Sequence, residues 1–388
     1  MKKTLLSIFT LMVGFIANAQ VYVDIDATGN NDGTSWANAY TDLHSALFTS
    51  PSGSEIWVAE GTYVPSRTYT GNIAADSRDH TFRVVNNIQV YGGFNGTETT
   101  LNQRNWNSNM TIISGDLGGG NKSRNIMRFD GNDNTTILDG FIVENGAAIS
   151  GSLLNGGAVY STNASPTFKN CTFQDNSSQQ HGGAIYTSGG VPQFFNCKMI
   201  NNSTSLYDGG ALYITGASST NIVNCLFDDN MAARYGGAVI VQNTNIGQIN
   251  NCTFVNNTRG GGSAKAIFLS VSAGSPILYV TNCVFYNNQP GAGDDVNRNG
   301  GSYFITNCYS DAGSLGFTNN NGLTNIITGA PFFTDFNNGD YSVLCKSPFV
   351  NAGDTTGIVW SNPDLNGDTR VFGPNIDLGA YENTVAEI

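Results

Sequence analysis

Residues 209–230 read GGALYITGASSTNIVNCLFDDN, and this phrase decides the fold because the chain keeps restating it. A glycine pair, an alanine and an apolar strand come first, and Asn-Cys-x-Phe-x-x-Asn answers them. The glycine pairs start at Gly156, Gly182, Gly209, Gly236 and, in the degraded copy GGSAKAIFL, at Gly261. The answering cysteines are Cys171, Cys197, Cys225, Cys252, Cys283 and Cys308. Steps of 25 to 31 residues with fixed internal positions are the mark of a solenoid. Apolar positions within each unit alternate and are β-branched or aromatic, so the units are strands. The expected fold is all-β: a single-stranded right-handed parallel β-helix of about ten coils, roughly 50 Å long at the strand spacing.

Outward from the repeat, five stretches are expected. Residues 1–19 read as a signal peptide: Lys2 and Lys3 precede the apolar run Leu5 to Ile16, and Ala17-Asn18-Ala19 supplies a small-residue cleavage site. The mature chain would then start near Gln20, outside the cytoplasm, as a secreted protein or one held at a bacterial outer surface. Residues 20–65 form an N-terminal cap and first rung, with Ala39, Leu43, Ala46 and Leu47 on one face of a short helix that covers the open end of the solenoid. Residues 66–155 carry irregular coils and a polar excursion, 156–310 the regular repeat, and 311–388 a compact tail.

Composition narrows the partners. A net charge of -12 on a chain with 12% charged residues gives no basic face for nucleic acid. No apolar stretch after the leader approaches the roughly 18 to 20 residues of a membrane span. Many Asn, Ser and Thr suit stacked coils, since amides repeated at the strand spacing can bond in ladders where like charges would repel. Six of the seven cysteines share one slot per coil. Lys198 must face water, so Cys197 and Met199 beside it point inward, and the six read as a buried column of reduced thiols rather than as bridges. Cys345 stands outside the repeat.

Two faces of the Gly-Gly-Ala strand separate by composition. Val159, Ile185, Leu212, Val239 and Ile267 make the core face. Tyr160, Tyr186, Tyr213, Ile240 and Phe268 make the other, bordered by Thr162, Ser188, Thr215, Gln242 and Ser270. An outward aromatic stripe with a polar rim would suit sugar rings, with Tyr207 and Tyr235 adding to it from the turns. Those turns also gather His181, Asp208 and Arg234. A polysaccharide lyase could be built from Arg234 as base, His181 as proton donor, and Asp208 with Asp229 as oxygen ligands for calcium. A glycoside hydrolase would need two carboxyls, for which Asp228, Asp229 and Asp208 are the candidates. Glu144, Asp175, Asn201, Asp229, Asn256 and Asn287 read as one slot before the second Asn of the phrase. No nucleophile motif, phosphate loop or Cys/His metal cluster is present in the sequence.

The paired Gly-Gly-Ala and Phe-x-x-Asn phrases, as at Phe173-Gln174-Asp175-Asn176 and Phe254-Val255-Asn256-Asn257, resemble the repeats of polymorphic outer-membrane proteins, which are β-helical surface adhesins. The tail phrases Asp364-Leu365-Asn366-Gly367, Arg370 and Ile376-Asp377-Leu378-Gly379-Ala380-Tyr381-Glu382 resemble the choice-of-anchor Q region of bacterial surface β-helix proteins. The pectin-lyase-like superfamily shares the architecture and includes lyases and hydrolases. The expected role is that of a non-enzymatic secreted or surface protein, an adhesin or glycan-binding stalk, that binds an extracellular polysaccharide, a surface glycan or a protein. A lyase or hydrolase on the same face is the alternative. A lyase for acidic polymers would want clustered Lys or Arg, and the chain has only 17 basic residues with no basic cluster expected in the coils.

Overall fold

The computed structural model describes residues 20–385 apart from 85–86, 290–292, 357–358 and 360, so the expected signal peptide lies outside the described residues. Three parallel sheets wind around one core. The first has eleven strands, from Gln20–Val23 and Glu55–Ala59 through to Gly322–Thr324; the second has nine, from Gly61–Tyr63 to Tyr309–Ser310; the third has eight, from Phe82–Val84 to Val296–Arg298. A ladder of five two-residue strands, Ala147–Ala148 to Thr258–Arg259, lines the corner between the second and third sheets. The fold is the expected right-handed parallel β-helix, but with about seven turns rather than ten. Eight strands in the third sheet are seven steps apart end to end, whereas the larger count took the cap strand and the incomplete last rungs for full coils.

The repeat phrase is explained by its corners. Asn170, Asn196, Asn224, Asn251, Asn282 and Asn307, each preceding a core cysteine, adopt the left-handed conformation with φ between 48° and 55°. Asn tolerates that region better than other side chains with a Cβ, which is why the slot is amide throughout. Asp175, Asn201, Asp229, Asn256 and Asn287 turn the next corner in the same way, with φ between 52° and 57°. Glu144 does not belong to that slot: it pairs in register with Gln174, and Asn145 takes the corner.

Between these corners the core is columnar. Phe227, Phe254 and Phe285 stack at 4.7 and 4.9 Å between ring centroids. The six repeat cysteines are unbridged and buried, and Cys345 is exposed. The second Asn of the phrase forms a further internal ladder, in which Asn176, Asn202, Asn230 and Asn257 each donate Nδ2 to the Oδ1 of the next at 2.9 to 3.1 Å, ending on Asn288. Each Nδ2 also reaches a main-chain carbonyl of the preceding coil, so these buried amides are satisfied without water.

The glycine pair has two separate causes. Gly182, Gly209 and Gly236 sit at φ 61°, 71° and 58°, while a Cβ on the following Gly183, Gly210 or Gly237 would lie 2.0 to 2.1 Å from a carbonyl oxygen of the next coil. In the degraded copy the slot is not held by Gly261. Register puts Ile267 beside Val239, so Ala264, at φ 62°, and Lys265 occupy the pair's positions.

At the N-terminal end Asp42 caps a short helix, Leu43–Thr49, through the N–H groups of His44 and Ser45 at 3.1 Å. Leu43, Ala46 and Leu47 close the core there, as expected, and Ala39 is buried just ahead of the helix. At the other end the tail turns back as a strap. Asn282, Asn250, Asn224 and Asn196 donate in turn to the carbonyls of Asp354, Val359, Ser361 and Pro363, so this segment runs back across four coils. Tyr341, Ala380 and Tyr381 then pack on Leu226 and Val255 of the second sheet. Arg370, fully buried, reaches Glu382 at 3.4 Å and the carbonyl of Asp377 at 3.0 Å, which gives Arg370 and Glu382 of the tail phrase an internal role.

Candidate functional site

Register on the outer face of the third sheet assembles one column: Arg83, Arg128, Tyr160, Tyr186, Tyr213, Ile240, Phe268 and Asn297. Val159, Ile185, Leu212, Val239 and Ile267 point into the core, as the alternation predicts. Tyr160 stacks on Tyr186 at 5.4 Å and Tyr186 on Tyr213 at 5.7 Å, with rings 21° and 22° from parallel. The expectation of ring faces free for sugar therefore needs correcting. In-register strands turn the faces toward each other, and what solvent meets is ring edges and hydroxyls. The column is also not uniformly open. Tyr160 and Tyr186 are half-buried, but Tyr213, Ile240 and Phe268 are buried. His181 lies 4.3 Å from the Tyr213 ring, and Ala264 and Tyr235 pack over Ile240 and Phe268.

Beside it runs the expected polar border, partly bonded to itself. Thr215 Oγ1 donates to Gln242 Oε1 at 3.0 Å, and Gln242 Nε2 to Ser270 Oγ at 3.2 Å.

His181, Asp208, Tyr213, Arg234 and Tyr235 come together, as the turn positions suggest, around a cleft of about 380 Å³. Asp208 is its hub. Its carboxylate accepts from Arg234 Nε at 3.1 Å and Nη2 at 3.0 Å and from the Tyr235 main-chain N–H at 3.2 Å, with His181 Nδ1 at 3.8 Å. Tyr207 stacks on His181 at 5.2 Å, and the Arg234 guanidinium lies 4.7 Å from the Tyr207 ring centre.

This geometry corrects the lyase assignment. The Asp208 carboxylate bound to Arg234 raises the guanidinium's pKa above its already high ordinary value, so Arg234 is a cation and not a base. Burial lowers the pKa of His181, against the opposing pull of Asp208, which makes it a poor proton donor. Asp229 is not in the cleft: it is an exposed corner residue of the second sheet. The Asp208 and Asp229 calcium pair is therefore not assembled, and Asp208 already has its oxygens engaged by Arg234 and Tyr235. Asp228, the other carboxyl of the hydrolase reading, accepts the Tyr341 hydroxyl at 2.8 Å beneath the tail. Among the described residues no three His, Cys, Asp or Glu side chains cluster as metal ligands would.

The sequence reading missed the basic end of the column. Arg83 and Arg128 are adjacent in register, and their guanidinium carbons lie 4.7 and 4.3 Å from the centre of the Tyr69 ring, which the 66–80 excursion lays between them. Arg128 is also 5.5 Å from the Tyr160 ring. The signal was there: Phe82-Arg83-Val84 and Met127-Arg128-Phe129 each set an outward Arg between two inward apolar residues. Irregular spacing hid their register, so the expected lack of clustered cations does not hold for these coils.

Residues 139–310 match the family model described as "Right handed beta helix region". None of the curated proteins compared with the chain matches it. Among solved structures, a pectate lyase, Pel9A, aligns at 16% identity with a TM-score of 0.53, covering 95% of this chain and 97% of that one. A carrot pectin methylesterase aligns at 12% identity and TM-score 0.42, over 81% of this chain and 90% of that one. The Erwinia chrysanthemi pectin methylesterase PemA aligns at 12% identity and 0.37, over 80% and 90%. Together the winding and the family model define the class: a right-handed parallel β-helix. At these identities the likeness is one of fold alone.

Proposed function

We propose that this is a secreted or cell-surface glycan-binding protein that holds a polysaccharide along the outer face of its third sheet without cleaving it. The observation that carries the reading is the register-locked column Arg83, Arg128, Tyr160, Tyr186 with the polar column Thr162, Ser188 and Thr215 beside it. Phenol hydroxyls and ring edges repeating once per coil, on strands that cannot shift relative to one another, match a polymer that presents hydroxyls at a regular repeat. Many weak contacts of this kind add up along a chain. At the cationic end, Arg83 and Arg128 would attract a polymer carrying acidic groups.

Catalysis is not part of the reading, because the cleft's cation is locked to Asp208, and neither the Asp208 and Asp229 calcium pair nor the paired carboxyls of a hydrolase are brought together. A panel of neutral and acidic polysaccharides, scored for both retention of the protein and shortening of the polymer, tests it. Retention without shortening is expected. Turnover of any retained polymer would replace the binding reading with the enzymatic one.

A further inference from the structure

Away from the third sheet, the strap and the excursion before the second-sheet strand Thr111–Ser114 enclose a second concavity. Two adjoining clefts of about 170 and 300 Å³ share Trp106, Asn170, Asn196 and Pro363, so they form one groove over the Asn-Cys corner between the first and second sheets. Trp106 stands on one wall and Ser361 to Pro363 of the strap on the other. Two lysines line it from different sheets, Lys169 in one cleft and Lys198 in the other. Lys169 follows the core residue Phe168 and is in register with Phe195, whose ring centre lies 6.0 Å from the Lys169 ammonium. Lys198 lies just beyond the corner, in register with Thr172.

Neither lysine has an acidic partner within 4.0 Å among the described residues. The carboxylate whose field reaches Lys198 is that of Asp364. It is committed elsewhere: its Oδ1 accepts the Asn366 and Asp368 N–H groups at 2.9 and 2.8 Å, and its Oδ2 accepts that of Glu382 at 2.7 Å. Burial lowers the pKa of Lys198 against the opposing field of Asp364, and an incoming anion would offset more of that cost. Arg104 does not compete, because Asp139 holds it at 2.7 Å.

We propose that this groove is a second binding site, for a carboxylate-bearing sugar unit: an apolar sugar face against Trp106 and Phe195, and its carboxylate between Lys169 and Lys198. Aromatic side chains with two ammonium groups that lack a salt-bridge partner fit a uronate better than a neutral sugar, which would leave the ammonium groups unused, or a bare anion, which would leave the rings unused. The site is independent of the third-sheet face.

The test is isothermal titration calorimetry with a mannuronate trisaccharide and with maltotriose. It uses the wild-type protein, Lys169→Gln, Trp106→Ala, and Tyr160→Ala/Tyr186→Ala, which disables the other face. The uronate should bind the tyrosine variant as it binds this site in the wild type, at least 10-fold more tightly than maltotriose, and weaken 5-fold or more in Lys169→Gln and in Trp106→Ala. Lys169 is a surface side chain, and an unchanged urea midpoint establishes that its variant is folded. Equal affinity for the two sugars, no uronate binding to the tyrosine variant, or wild-type affinity in Lys169→Gln would each overturn the site.

Discussion

Arg234 grips Asp208 with two nitrogens, at 3.1 and 3.0 Å, across one step of the solenoid. The pair turns two residues suggestive of chemistry into a brace between successive turns. The Arg234 side chain is 47% exposed and that of Asp208 10%, so the two ends differ in what their loss should cost. Arg234→Ala should destabilise by no more than about 1 kcal/mol. Asp208→Ala should cost more, about 2 kcal/mol, since it also strips an acceptor from the Tyr235 N–H. Urea denaturation of both variants and the double variant should give a coupling energy of about 0.5–1 kcal/mol. Equal losses from the two single variants would show that Asp208 is not the hub.

The cysteine column should be chemically silent in the folded protein. Burial pushes the Cys171 thiol up to about 12, and none of the six faces solvent. A thiol reagent should titrate Cys345 alone under native conditions and all seven cysteines after unfolding without reductant. Fewer than seven in the unfolded chain would mean that bridges exist. Cys225→Phe should cost about 1–3 kcal/mol by overpacking between Cys197 and Cys252.

Stability should fall as pH rises from acid to neutral through Asp295. This carboxyl is buried near the last full coil, and burial pushes it up to about 7, despite the hydroxyl of Ser310 at 2.5 Å, the field of Lys265 and a hydrogen bond from the Asn288 side chain, with Asp311 reinforcing the rise. In the unfolded chain it would titrate near 3.9. Between those values the folded state holds a proton that the unfolded state has lost. The stabilisation is thus complete below about pH 4 and gone above about pH 7. Wild-type protein should have a lower urea midpoint at pH 8 than at pH 5, with a smaller drop in Asp295→Asn. An identical drop in that variant would exclude Asp295 as the source.

Much of the fold was legible because each feature of the repeat has one physical cause that recurs. The Asn before each cysteine is a left-handed corner, the second glycine of each pair meets the neighbouring coil's carbonyl, and Val159 to Ile267 alternate inward. The site was legible in its membership but not in its chemistry. The turn positions brought His181, Asp208 and Arg234 together, yet sequence order cannot reveal that Asp208 would lock the guanidinium, nor that Asp229 turns a corner on another sheet. Stacking in register faces Tyr160 onto Tyr186, a consequence of parallel pairing that composition does not carry. Where spacing becomes irregular, as between Arg83 and Arg128, register itself is lost. Only register shows that Ala264, three residues after Gly261, holds the glycine slot, and that Tyr235 stacks on Phe268.

Affinity of the Tyr160→Ala/Tyr186→Ala protein for whichever polysaccharide the wild type retains is the most direct measure of the central claim. Tyr213 is left in place because it is buried and its removal would damage packing. With two half-exposed rings and their hydroxyls gone, affinity should fall about 5-fold to 30-fold, equivalent to roughly 1–2 kcal/mol, with the urea midpoint little changed. Undiminished affinity in a folded double variant would contradict the claim and move glycan binding off the third sheet.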